Sequence, residues 1–179
     1  MATVASEKRA RVEVAVSGSK SSKTPDFSFL WKFTLFAVLA CSLQLLPDAL
    51  LPPNDAILII RSVLKGFLAL FFTLGGSLHF RNEFRPFFLK MIPPFIPFKL
   101  FIHYATGVYT LICGPALMFK VSERYAAMAM IVFLFLVSPA HVYVIVSEKA
   151  RTETGFSYAN AWIRIVLQVL LVIWCAWYL

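Results

Sequence analysis

The chain is a series of long apolar runs separated by short charged stretches. The first run is Phe27 to Leu46, interrupted by Lys32 and Gln44. The second is Ala56 to Phe80, with Arg61 and Lys65 in its first half. The third is Leu100 to Phe119, the fourth Tyr125 to Val146 and the fifth Ala161 to Leu179. Each is close to the roughly 20 residues a helix needs to cross a bilayer. Backbone N–H and C=O groups find no water in hydrocarbon, so such runs fold as helices that bond internally. The pattern predicts an all-α transmembrane bundle of five spans.

The stretches between the runs are polar or rich in proline. Residues 1–26 hold Lys8, Arg9, Arg11, Lys20 and Lys23 among Ser, Thr and Val, and read as a disordered basic tail. Pro47-Asp48 and Pro52-Pro53-Asn54-Asp55 form a turn. Residues 81–99 are both basic and aromatic, with Arg81, Arg85, Phe87, Phe88, Lys90, Pro93, Pro94, Pro97 and Lys99. Such a stretch cannot hold a regular spanning helix, and reads as a re-entrant or flat interfacial segment. With five spans, the tail, the 81–99 loop and the 147–160 loop share one side, which collects most of the loop Lys and Arg; the other side has Lys120 and Arg124. The positive-inside rule then places the N-terminus in the cytosol and the C-terminus across the membrane. Arg61 and Lys65, four apart on one helix face, are expected to snorkel to the near interface or face a partner. Trp174, Trp177 and Tyr178 read as an aromatic belt at the far end of the last span.

Composition agrees with this reading. Hydrophobic residues make up 60% of the chain and charged residues 15%, and mean hydropathy is +0.77. A soluble domain of this length has no interior large enough for so much apolar surface. The net charge of +8 would suggest nucleic acid in a soluble protein. Here the charges lie in loops and at segment ends and no basic stripe lies on a soluble face, so no nucleic-acid partner is expected; the expected surroundings are the lipid bilayer and other membrane proteins. Cys41, Cys113 and Cys175 all lie inside apolar runs and read as small core residues.

The candidate chemistry is a polar cluster. His79 ends the second run, His103 is about one turn into the third, His141 is about one turn before the end of the fourth, and Arg164 and Gln168 fall in the first two turns of the fifth. In an alternating bundle all five lie in the cytosolic leaflet, within about 10 Å of one another in depth at a 1.5 Å rise per residue. An ionisable residue inside a span is a functional hypothesis by default. Two histidines on facing helices can ligate haem iron, histidine with arginine can hold a quinone carbonyl or a lipid head, and a histidine can carry a proton. The structural alternative is that these side chains hydrogen-bond neighbouring helices and hold the bundle together. No metal site is expected, and no Gly-x-Ser-x-Gly, His-Glu-x-x-His or phosphate-cradling glycine loop is present.

Residues 77–177 resemble the DoxX-like family of small membrane proteins. The resemblance rests on Leu78-His79-Phe80, Phe87-Phe88, Ile92-Pro93-Pro94-Phe95-Ile96-Pro97, Gly107-Val108, Ser138-Pro139-Ala140-His141-Val142-Tyr143, Trp162-Ile163-Arg164 and Gln168. It implies a four-helix core over 56–179, with the run at 27–46 and the tail 1–26 as additions. The glutamate that the family often carries after the Gly-Val pair is replaced by Tyr109-Thr110, and its Pro-Ala-Asn by Pro-Ala-His141. The founding member looks like a subunit of a quinone-linked oxidoreductase, and other relatives look like membrane chaperones. The expected function is therefore a non-enzymatic accessory, assembly or chaperone-like membrane protein. The alternatives are a redox-associated subunit binding haem or quinone at the cluster, and a lipid or sterol binder.

Overall fold

The computed structural model describes residues 28–45 and 55–179. The basic tail 1–26 and the turn after the first run lie outside the described residues. Among the described residues the protein is all-helical: α1 Ser28–Leu45, α2 Asp55–Leu78, α3 Arg85–Met91, α4 Lys99–Ala116, α5 Glu123–Val146, α6 Glu148–Thr154 and α7 Tyr158–Ala176. The five long helices coincide with the five apolar runs to within a few residues. The two short helices, α3 and α6, lie in the 81–99 and 147–160 loops.

The long helices alternate in direction around a closed bundle. α1 runs parallel to α7: Trp31 donates to Asn160 Oδ1 near their N-termini, and Gln44 donates to the Tyr178 hydroxyl near their C-termini. α1 also packs antiparallel to α2, with Phe33 stacked on Phe71 at 4.2 Å and Phe36 edge-on to Phe67 at 5.3 Å. α2 lies antiparallel along α4, the most extensive pairing in the bundle. α4 meets α5 through Tyr109, which stacks on Phe133 and donates to the Ala129 carbonyl. α5 returns to α7 through Gln168. The first helix packs between α7 and α2.

The α2–α4 seam is built of small residues. Ala69, Thr73 and Gly76 face Gly107, Thr110 and Gly114 at helical spacing. A methyl group on Gly107 would lie 2.7 Å from His79 Cβ and 2.9 Å from Phe80. One on Gly114 would lie 2.5 Å from Thr73 Oγ1 and 3.0 Å from the Ala69 carbonyl oxygen. Lipid tails are as apolar as leucine, so helices in a bilayer gain by close backbone approach, which small residues allow. Outside the seam the lateral surface is apolar: Leu35, Ile59, Ile112, Phe135 and Leu136 are all well exposed. By length and composition α2, α5 and α7 are able to cross a membrane, and α1 offers a shorter apolar helix.

Two expectations change. Lys65 finds its partner within the chain: it pairs with Glu123 at the start of α5 at 3.2 Å and lies over the Tyr178 ring. Arg61 lies over the Trp177 ring. The C-terminal aromatic residues are not a simple belt: Trp174 is 0% exposed and packs on Phe36 in the core. The end of the bundle away from α3 therefore has its own polar set, in which Lys65, Glu123, Gln44 and Tyr178 satisfy one another across four helices.

Overpacking a tight helix contact costs about 1–3 kcal/mol. Gly107→Val should lower the melting temperature of the detergent-solubilised protein, because the side chain must displace His79 or Phe80. Gly66 has open space around its Cα, so Gly66→Ala should be neutral or stabilise by up to about 1 kcal/mol. Equal melting temperatures for the two variants would show that the seam is not close-packed.

Candidate functional site

The five predicted polar residues do not form one cluster. They form two, on opposite sides of α3. His79 and His103 meet between α2 and α4. Gln168 of α7 bonds α5 at Leu134 and Ser138, and this register places His141 of α5 level with Arg164 of α7.

The histidine pair is a hydrogen-bonded clip. His103 Nε2 lies 2.9 Å from the His79 carbonyl oxygen, and the two Nδ1 atoms lie 2.9 Å apart. A carbonyl only accepts, so His103 Nε2 carries its hydrogen. Only one proton fits between the two Nδ1 atoms. A cationic His103, 1% exposed and without a carboxylate partner, is unfavourable, so His79 Nδ1 donates and His103 Nδ1 accepts. His79 itself lies just past the end of α2. Burial first, and then the neighbouring His103, pull it below the usual histidine range to about 4. The His79 carbonyl follows directly on the last turn of α2, where the chain's carbonyls lack intrahelical donors. His103 thus caps α2 from a neighbouring helix. Phe88 of α3 stacks on the His79 ring at 4.1 Å. Both ring nitrogens of His103 are engaged, so neither is free to ligate haem iron.

The second group is less complete. Gln168 Nε2 donates to the Leu134 carbonyl at 2.6 Å and to Ser138 Oγ at 2.5 Å. Ser138 Oγ in turn donates to the same Leu134 carbonyl within α5. The other amide atom, Gln168 Oε1, is buried without a hydrogen-bond partner, and so is His141 Nδ1. Arg164 is half-buried in the second turn of α7. Its contacts are Met91 Sδ of α3 at 3.2 Å and the Phe156 ring, 4.6 Å from the guanidinium carbon. Neither carries a negative charge. The ion pairs among the described residues, Lys65–Glu123 and Lys149–Glu153, do not include it.

The 81–99 segment separates the two groups and supports both. α3 turns Phe88 toward the histidines, and Phe87 toward Phe156 and the arginine. Pro93 is fully buried, whereas Pro94 and Pro97 are exposed. Three of the basic residues hold the segment in place. Lys90 donates to the Glu153 carbonyl of α6, Lys99 donates back to the Ile92 carbonyl, and Arg85 lies over the Tyr104 ring. Arg81 is exposed. Phe98 takes a left-handed conformation (φ 53°) that reverses the chain into α4, and Phe95, Phe98 and Phe101 project outward, 77%, 81% and 74% exposed. The sequence reading missed Met91 and Phe156, and it quoted Ser138 only as part of the motif around His141. Nothing in the spacing of Met91 and Phe156 marks them, because they reach the site from the two loop segments.

Fold and site together define an all-helical membrane protein with its polar groups concentrated at the two ends of the bundle. A family profile described as Domain of unknown function (DUF8561) matches residues 68–179, more than half of the chain, and the protein belongs to that family. No curated protein matches the chain, and no solved structure does.

The neutral His79 side chain implies a pH dependence with a defined sign. Its folded-state value of about 4 lies below the unfolded 6.5, so its contribution is complete above about 6.5 and is lost as pH falls toward 4. Thermal unfolding in detergent should show stability declining through that window, and His79→Gln should flatten the decline. An unchanged slope in the variant would remove His79 as its source. His103→Phe keeps the volume but leaves the His79 carbonyl without its donor, a loss of about 1–3 kcal/mol. A melting temperature equal to that of the parent would refute the clip.

Proposed function

We propose that this chain is a five-span membrane protein of the DoxX-like type. It acts as a non-enzymatic accessory, assembly or chaperone-like partner of other membrane proteins. The observation that carries this reading is the use of the His79–His103 pair as a cap between α2 and α4. The most conspicuous titratable residues of the bundle are spent on holding helices together rather than offered to a substrate. That weakens the redox reading in which His103 and His141 ligate a haem. The exposed Phe95, Phe98 and Phe101 at the basic end supply an aromatic ridge where a partner helix can pack. The alternating directions of α1, α2, α4, α5 and α7 support five crossings, and the basic loops support a cytosolic N-terminus.

Topology is tested by single-cysteine labelling of the full chain in sealed vesicles with a membrane-impermeant maleimide. Arg81→Cys and Lys120→Cys should react from opposite sides, and reaction from the same side would rule out five spans. The partner reading is tested by crosslinking in native membranes followed by mass spectrometry. A reproducible membrane-protein partner is expected, and its loss when Phe95, Phe98 and Phe101 are changed to serine would locate the contact. Absence of any reproducible partner would remove the accessory role. An absorbance spectrum of the purified protein, before and after dithionite, separates the redox alternative: a Soret band would restore it.

A further inference from the structure

The Arg164 side chain poses a problem of charge. A guanidinium keeps its proton at any physiological pH. This one is half-buried near the start of α7, and its contacts are a thioether and an aromatic face. A thioether is a weak acceptor and a ring offers only its quadrupole. Neither neutralises the charge, and a charge removed from water without a counter-charge is strongly unfavourable. The opposite end of the bundle shows the usual solution, in which Lys65 faces Glu123 across a helix interface. Among the described residues Arg164 has no such carboxylate. One helical turn on, Gln168 Oε1 is buried and unbonded, and His141, which the antiparallel register set by the Gln168–Ser138 bond places level with Arg164, holds an unbonded Nδ1.

Structural glue would look different. A side chain that only joins helices ends on a carbonyl or hydroxyl, as Gln168 Nε2 and Tyr109 do. Around Arg164 a cation and two open hydrogen-bonding atoms are left over, while Met91 and Phe156 supply apolar contact beside them. We propose that Arg164, with His141 and Gln168, forms a binding site for an anionic oxygen group, a phosphate or carboxylate, that supplies the missing counter-charge. The planar guanidinium offers paired N–H donors to two oxygens of such a group. His141 Nδ1 can donate to a third oxygen, and Gln168 Oε1 accepts from a hydroxyl or ammonium carried by the same molecule. A neutral carbonyl, such as that of a quinone, accepts a hydrogen bond but leaves the charge uncompensated. The anion can come from the head of an amphiphile, whose chain would lie along Met91 and Phe156, or from a free ion. The chemistry of recognition is the same for both. This assignment does not depend on whether the protein has membrane-protein partners.

The test uses the full chain purified in a neutral maltoside detergent and stripped of co-purified lipid. Binding is read as the ligand-induced rise in melting temperature. The probes are didodecanoyl phosphatidate, laurate, inorganic phosphate and uncharged didodecanoylglycerol. Phosphatidate or laurate should stabilise the parent protein and didodecanoylglycerol should not, which assigns the anion to an amphiphile. Stabilisation by inorganic phosphate at the same concentration would assign the site to a free ion. Arg164→Gln should weaken binding at least tenfold, and Arg164→Lys, which keeps the charge but loses the paired donors, by less. If Arg164→Gln does not fold, His141→Phe provides the second reading: it removes no hydrogen bond seen in the structure and should weaken anion binding several-fold. The proposal is overturned if no anionic probe stabilises the parent protein. It is also overturned if the uncharged lipid stabilises it as well as phosphatidate, or if the folded variants bind like the parent.

Discussion

The close approach of α2 and α4 is the contact on which the rest of the structure depends. In a bilayer, apolar side chains gain little by leaving lipid for one another, so helices associate through short-range contact and through polar groups that lipid cannot satisfy. The seam uses both. Gly76, Gly107 and Gly114 let the two backbones come within reach, and at its end His103 reaches the His79 carbonyl. The clip needs the seam: with bulkier residues along α2 and α4, the imidazole of one helix would not meet the last carbonyls of the other.

The clip also sets the position of α3. Phe88 stacks on His79, which orients a helix too short to be stable by itself. Lys90 and Lys99 fasten the segment to α6 and to its own chain. With Phe88 held on one side, Phe87 and Met91 are delivered to the other, next to Phe156 and Arg164. The two polar groups are thus mechanically related although they share no hydrogen bond. One is closed and structural. The other holds a charge and two open polar atoms in an apolar setting, and that difference separates a joint from a candidate ligand site.

The far end of the bundle obeys the same economy. Lys65, which interrupts an apolar run, is neutralised by Glu123 from a helix distant in sequence. Gln44 finds the Tyr178 hydroxyl. These contacts draw α1, α2, α5 and α7 together, and they explain why α1 belongs to the bundle although its own sequence is nearly uniform in hydrophobicity. A helix that is apolar all round has no preferred face, so polar exceptions such as Trp31 Nε1 and Gln44 help to choose one.

The number, length and order of the long helices were legible in the chain, because a bilayer-length apolar run in a protein this hydrophobic has few ways to satisfy its backbone other than as a helix. The polar residues of interest, His79, His103, His141, Arg164 and Gln168, were legible too, since a charge or imidazole inside such a run stands out. Their grouping was not. Depth along a helix can be counted from residue numbers, but the rotation of each helix about its axis is decided by contacts with several neighbours at once. Only the packed bundle turned His103 toward the His79 carbonyl, Lys65 toward Glu123, and Arg164 toward a thioether and a ring in place of an acid.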